Sequence, residues 1–124
     1  MVTQRQKKTS TAESRTAGSS TVVPVAALSE KQYQQQIIDF ARLNSWLVYH
    51  TFDSRHSEGG FPDIIAIRGA TLLALEIKGA KAKEPPPDQV AWIGAFQQVR
   101  FVHADFVYPR HWEQVAETLQ KAKR

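Results

Sequence analysis

The chain has 124 residues, 42% hydrophobic and 23% charged, the composition of one globular domain rather than a fibrous or low-complexity chain. No apolar run approaches the roughly 20 residues that span a bilayer, and the N-terminus lacks the apolar stretch of a secretory leader. Cysteine is absent, which excludes disulfides, thiolate catalysis and Cys-based zinc sites and fits an intracellular protein.

The net charge of +4 is uneven: four basic residues (Arg5, Lys7, Lys8, Arg15) against Glu13 leave residues 1–28 at +3, and the rest of the chain carries +1. Residues 1–23 are rich in Ser, Thr, Gln and basic side chains without periodicity, and read as disordered. A tail over 1–28 is thus expected, with 24–28 leading into a single domain over 29–124. Such a tail is either a solubilising leader or an arm that touches nucleic acid.

Ser29-Glu30-Lys31-Gln32 has the form of a capping box and predicts a helix to about Asn44. Its apolar stripe is Tyr33, Ile37, Phe40 and Ala41. Glu30 stands three residues before Tyr33, so it points toward the domain just beyond the core edge. Trp46–Thr51 is β-rich and predicts a first strand. Phe52–Gly60 is a polar loop, Pro62–Arg68 a second strand and Thr71–Lys78 a third. Gly79–Pro87 is another loop, with Lys81, Lys83 and three prolines. A helix then runs from Pro87 to about Gln98, with Val90, Ile93, Ala95 and Phe96 apolar. A fourth strand follows over His103–Tyr108, and a last helix from Pro109 or Arg110 to about Lys121. The order is αβββαβα, an α/β domain.

The segment from Phe61 to Lys78 is the most apolar in the chain, yet it carries Asp63, Glu76 and Lys78. Gly69-Ala70 suits a two-residue type II′ hairpin between the second and third strands. Arg68 then pairs with Thr71, and the same register sets Asp63 directly opposite Glu76, their Cβ atoms about 5 Å apart. Lys78, two residues beyond Glu76, shares their face. Like charges so placed on a nearly buried sheet need compensation. Lys78 can supply it, or a hard cation such as Mg²⁺ or Mn²⁺ that oxygen ligands favour. A structural Asp–Lys–Glu cluster at a sheet end is the plainer alternative.

Asp63 followed by Glu76-Ile77-Lys78 is the Asp…(Asp/Glu)-X-Lys pattern of the PD-(D/E)XK nucleases. Gly60-Phe61-Pro62-Asp63, Glu76-Ile77-Lys78, Asp88-Gln89 with Trp92, and Pro109 with Trp112 together resemble the VRR-NUC (virus-type replication-repair nuclease) branch of that superfamily. Glu30 with Gln34, Trp46 and His50 resemble its opening elements, so the likeness covers residues 29–117. One departure is the absence of the Gly turn such domains usually carry before the last strand; here Gln97-Gln98-Val99-Arg100-Phe101-Val102 stands in its place.

The resemblance implies a restriction-endonuclease-like fold with a central four-stranded mixed sheet flanked by helices, and hydrolysis of DNA phosphodiesters by metal-activated water. It implies Asp63, Glu76 and the Ile77 carbonyl as ligands of Mg²⁺ or Mn²⁺. Glu30 would serve a second metal or a metal-bound water, Lys78 the nucleophile, and Gln89 would fix Lys78 or a phosphate. Branched DNA (a Holliday junction or flap) in replication, recombination or repair is the implied substrate. Small stand-alone relatives often pair, as symmetric cutting of a four-way junction requires. The implied setting is the cytoplasm of a bacterial or phage-infected cell.

Taken alone, Glu30 also suits the positive end of a helix dipole, and Gln89 an ordinary first helical turn. Lys81 and Lys83 are candidate DNA contacts. Arg55 and His56 sit in a Gly-flanked loop before Asp63, where they touch phosphate or are simply solvated. His50 is either a site residue or a hydrogen-bonded strand histidine, and Trp46, Trp92 and Trp112 read as core. Two further functions stay open: a DNA-binding or assembly module without chemistry, and cleavage of RNA.

Overall fold

The computed structural model describes residues 23–52 and 57–121. Its elements are a 3₁₀ turn (Val25–Ala27), α1 (Glu30–Leu43), β1 (Leu47–His50), β2 (Ile64–Arg68), β3 (Thr71–Ile77), α2 (Pro87–Gln97), β4 (Val102–Val107), a second 3₁₀ turn (Pro109–His111) and α3 (Trp112–Lys121). The helix and strand order is αβββαβα, as the sequence predicts. The 3₁₀ turn precedes Ser29, and Leu28 packs against the core. Residues 1–22 of the expected tail lie outside the described residues, and 24–28 lead into α1.

The sheet order is β1-β2-β3-β4, with β1, β2 and β3 antiparallel and β4 parallel to β3. This is the expected four-stranded mixed sheet in an α/β domain. The period of two divides each strand between two faces. Ile64, Ala66, Leu73, Leu75, Ile77 and Val107 join Tyr33, Ile37, Ile38 and Ala41 of α1 and Val115 and Leu119 of α3 in the main core. The other face takes α2 over β3 and β4, burying Ala74 and Ile93.

Local chemistry explains most of the boundaries. Both bonds of the Ser29–Gln32 capping box are made, satisfying two backbone groups at the start of α1. Pro87 starts α2, where its missing N–H costs nothing. The indole N–H of Trp46 donates to the Leu119 carbonyl at 2.8 Å. The Arg68 guanidinium donates to that same carbonyl and stacks 4.6 Å over the Trp46 ring. These bonds tie the end of α3 to the far end of the hairpin. Two expectations are corrected. The last helix opens with a 3₁₀ turn at Pro109–His111 and becomes α-helical only at Trp112. Val90 and Ala95 of α2 are exposed rather than core-facing, since this helix covers only half the sheet.

Phe101, in the stretch where a Gly turn is missing, has φ +67 and lies 66% exposed. The chain makes a left-handed step there with a residue that resists it. Phe101→Gly is expected to stabilise the fold by about 1 kcal/mol, read as a Tm raised by about 5 °C. An unchanged or lowered Tm would show that the ring's contacts outweigh the backbone strain.

Candidate active site

The hairpin sets the geometry. Gly69 has φ +60 while Ala70 does not enter the positive region, the pattern of a type II′ turn. The ladder runs from Arg68↔Thr71 to Ile64↔Leu75. One step further, Asp63 faces Glu76, close enough for its charge to act on the Glu76 carboxyl. Asp63 is fixed from both neighbouring strands: its Oδ2 accepts the Ile77 N–H at 2.9 Å, and its carbonyl accepts the Thr51 N–H at 3.0 Å.

Glu76 is only 4% exposed, and its Oε1 has no hydrogen-bond partner. Burial pushes its carboxyl up to about 8. The Asp63 charge and the hydrogen bond to Asp63 add to the rise, Lys78 opposes it, and Glu30 adds a little. Burial and the Asp63 charge therefore favour the protonated form of Glu76.

Lys78 is 8% exposed. Its Nζ donates to Gln89 Oε1 at 2.6 Å and lies 6.0 Å from the centre of the Phe106 ring. Its charge acts on Glu76 and Glu30 through space. Gln89, in the first turn of α2, thus holds the ammonium beside the carboxylates rather than against one of them.

Glu30 is the first residue of α1 and is exposed. Partial burial raises its pKa, the Asp63 charge raises it further, and Lys78 lowers it. Gly79 explains the approach: a Cβ there would lie 2.8 Å from the Glu30 nitrogen. The missing side chain lets the chain after Lys78 run against the start of α1, where Ala80 N–H donates to the Leu28 carbonyl at 3.1 Å.

Among the described residues, no three His, Asp or Glu side chains form a ready metal cage. Asp63 and Glu76 do form a contacting pair with one orphaned oxygen. That suits a Mg²⁺-like ion, which keeps several waters and needs only one or two carboxylates. Glu30 stands off the pair and reaches it by charge alone.

The remaining candidates divide. Lys81 and Lys83 are exposed in the loop after Lys78. His50 pairs with Ile64, so it lies on the α1 face of the sheet, opposite to Asp63; its Nδ1 is buried without a partner. Arg55 and His56 lie outside the described residues. Trp46 is core, while Trp92 and Trp112 are only half-buried.

A clamp not foreseen from the sequence joins the Asp63 strand to the Gln89 helix. The Trp92 indole N–H donates to the Gly59 carbonyl at 3.2 Å, and Phe61 stacks edge-on against Trp92 and Phe96. Gly60, at φ +84, rests on the Asp88 backbone, where a Cβ would come within 2.6 Å. The signal was the Gly59-Gly60 pair, but its partner on α2 is 28 residues away. Gly60→Ala is expected to cost about 2–3 kcal/mol, from the left-handed backbone and the collision with Asp88. Chemical denaturation would measure it; a loss under 0.5 kcal/mol would show the clamp to be loose.

No protein-family model matches the chain, and the search of curated proteins returns no match.

Proposed function

We propose that the chain is a metal-dependent endodeoxyribonuclease of the PD-(D/E)XK type, of VRR-NUC kind and restriction-endonuclease-like fold, acting on branched DNA. One observation carries the reading: the hairpin brings Asp63 and Glu76 into contact and leaves a buried Glu76 oxygen without a partner, beside a buried Lys78. A purely structural cluster would be expected to neutralise both carboxylates with Lys78, whose Nζ donates instead to Gln89.

Asp63 and Glu76 would hold a Mg²⁺ or Mn²⁺ ion with help from the Ile77 carbonyl, and Glu30 would orient a nearby water or support a second ion. The ion supplies charge neutralisation at the phosphate and makes water a stronger acid. Lys78 offers its ammonium to the attacking water or to the charge that develops on the phosphoryl oxygens. Gln89 keeps that ammonium in place, and Glu76, whose protonated form burial favours, would release that proton to solvent on holding a cation. Lys81 and Lys83 supply backbone phosphate contacts, whose strength falls with salt.

The test is incubation of the purified chain with labelled linear, flap, four-way-junction and RNA substrates, with Mn²⁺ or EDTA. Cleavage of branched DNA in Mn²⁺ alone supports the proposal. Binding without cutting in any divalent metal would leave a DNA-binding or assembly module, and cutting confined to RNA would change the substrate class.

A further inference from the structure

β4 is an edge of the sheet, with β3 as its one neighbour. The Leu72 N–H donates to the Phe101 carbonyl at 3.2 Å and the Lys78 N–H to the Val107 carbonyl at 3.0 Å. In a parallel pair, alternate residues turn their backbone groups to the same neighbour. Phe101, His103, Asp105 and Val107 therefore bond β3, and the N–H and C=O groups of Val102, Ala104 and Phe106 point away from it. Such an outward row is a template for another strand. The hazard is real in this segment, because Val102–Val107 (VHADFV) is apolar apart from His103 and Asp105.

Each of the three outward residues already has one group engaged. The Val102 N–H donates to the Val99 carbonyl at 3.3 Å. The Ala104 carbonyl accepts from Gln97 Nε2 at 3.0 Å. The Phe106 N–H donates to Asp105 Oδ1 at 2.8 Å. An antiparallel partner exchanges both groups of a residue with the residue opposite, so no outward residue of β4 has that pair to offer. Two of the three bonds come from side chains, Gln97 and Asp105, that are exposed and contribute nothing to the core. An anchor for the α2–β4 connection would account for Gln97 but not for Asp105, which bonds the residue next to it.

We infer that Gln97 and Asp105 guard the β4 edge: they occupy the backbone groups through which a second copy of the chain would add its own β4. A second copy is the partner refused, because a two-fold axis brings β4 antiparallel to itself, where Val102, Ala104 and Phe106 would meet the same apolar residues. The inference stands apart from the nuclease reading, since neither side chain belongs to the carboxylate–lysine site.

The experiment follows the full chain by sedimentation velocity over a range of concentrations, with hydrogen exchange read at the Ala104 amide. The Gln97→Met/Asp105→Ala double variant is expected to form species larger than those of the wild type as concentration rises. In them the Ala104 amide, free in the guarded edge, should exchange at least roughly tenfold more slowly. Gln97→Met/Asp105→Asn keeps a side-chain oxygen for the Phe106 N–H without the charge, and should associate less than the Asp105→Ala form. Wild-type size for the double variant at every concentration overturns the inference, as does a lowered Tm without association. Association with unchanged exchange at Ala104 also overturns it, because the contact then lies elsewhere. Equal association of the Asn and Ala forms overturns it too, by showing that charge and not the bond keeps the edge apart. If the double variant fails to fold, Asp105→Ala alone is judged by the same readouts, since it leaves the α2 connection intact.

Discussion

Lys78→Met and Asp63→Asn are each expected to lower the single-turnover rate of DNA cleavage at least about hundredfold, the usual loss when one group that meets developing charge is removed. The choice of variants follows from the packing. Lys78 is buried, so methionine keeps the apolar stem while deleting the ammonium. Asp63 accepts the Ile77 N–H, so asparagine preserves an acceptor and avoids a stranded backbone donor. Circular dichroism and DNA binding should then match the wild type. Gln89→Ala should have a smaller effect, since it removes the partner that holds Lys78 rather than the charge itself. Full activity in either main variant would show that the carboxylate–lysine cluster is structural.

The second large effect is on stability. Glu76 titrates at about 8 in the fold against an ordinary value of 4.5. Between those values the folded state holds a proton that the unfolded chain has released, so stability falls as pH rises. Glu76 costs nothing below about pH 4.5, and its full penalty is reached above about pH 8. At about 1.4 kcal/mol per unit this is at most roughly 5 kcal/mol, an upper bound because the pair can relax. Glu30, also raised, acts in the same direction. Comparing wild type with Glu76→Gln isolates the contribution: the variant's advantage in Tm should grow from pH 5 to pH 8 in EDTA. Mn²⁺ at pH 8 should return stability to the wild type, about 2.7 kcal/mol at a hundredfold excess over its Kd, and should release a proton on binding. A constant difference between the two proteins across that range would mean that Glu76 is already ionised in the fold.

Much of this was legible in the sequence because it depends on local rules. Ser29 and Gln32 announced the start of α1, and Gly69-Ala70 the hairpin. The period of two then carried the register from that turn to Asp63 and Glu76, with no bulge between. What was not legible depends on contacts between distant segments. Nothing local shows that Gly60 must clear the Asp88 backbone, that Gly79 must clear Glu30, or that α2 covers half a sheet face and leaves Tyr49 bare. The apolar residues of α2 suggested core positions, but Val90 points where no second layer exists. His50 shows the limit of proximity along the chain, since one step in a strand puts it on the opposite face from Thr51 and Asp63.

The most direct test of the metal-dependent site is a titration of Mn²⁺ into the wild-type protein at pH 8, following the cleavage rate of a flap DNA and the Tm over the same concentrations. Both should rise together from the EDTA baseline to half-saturation at one concentration, with no cutting in EDTA. Cutting that persists in EDTA, or a protein that neither cuts nor gains stability at any Mn²⁺ concentration, would contradict the account.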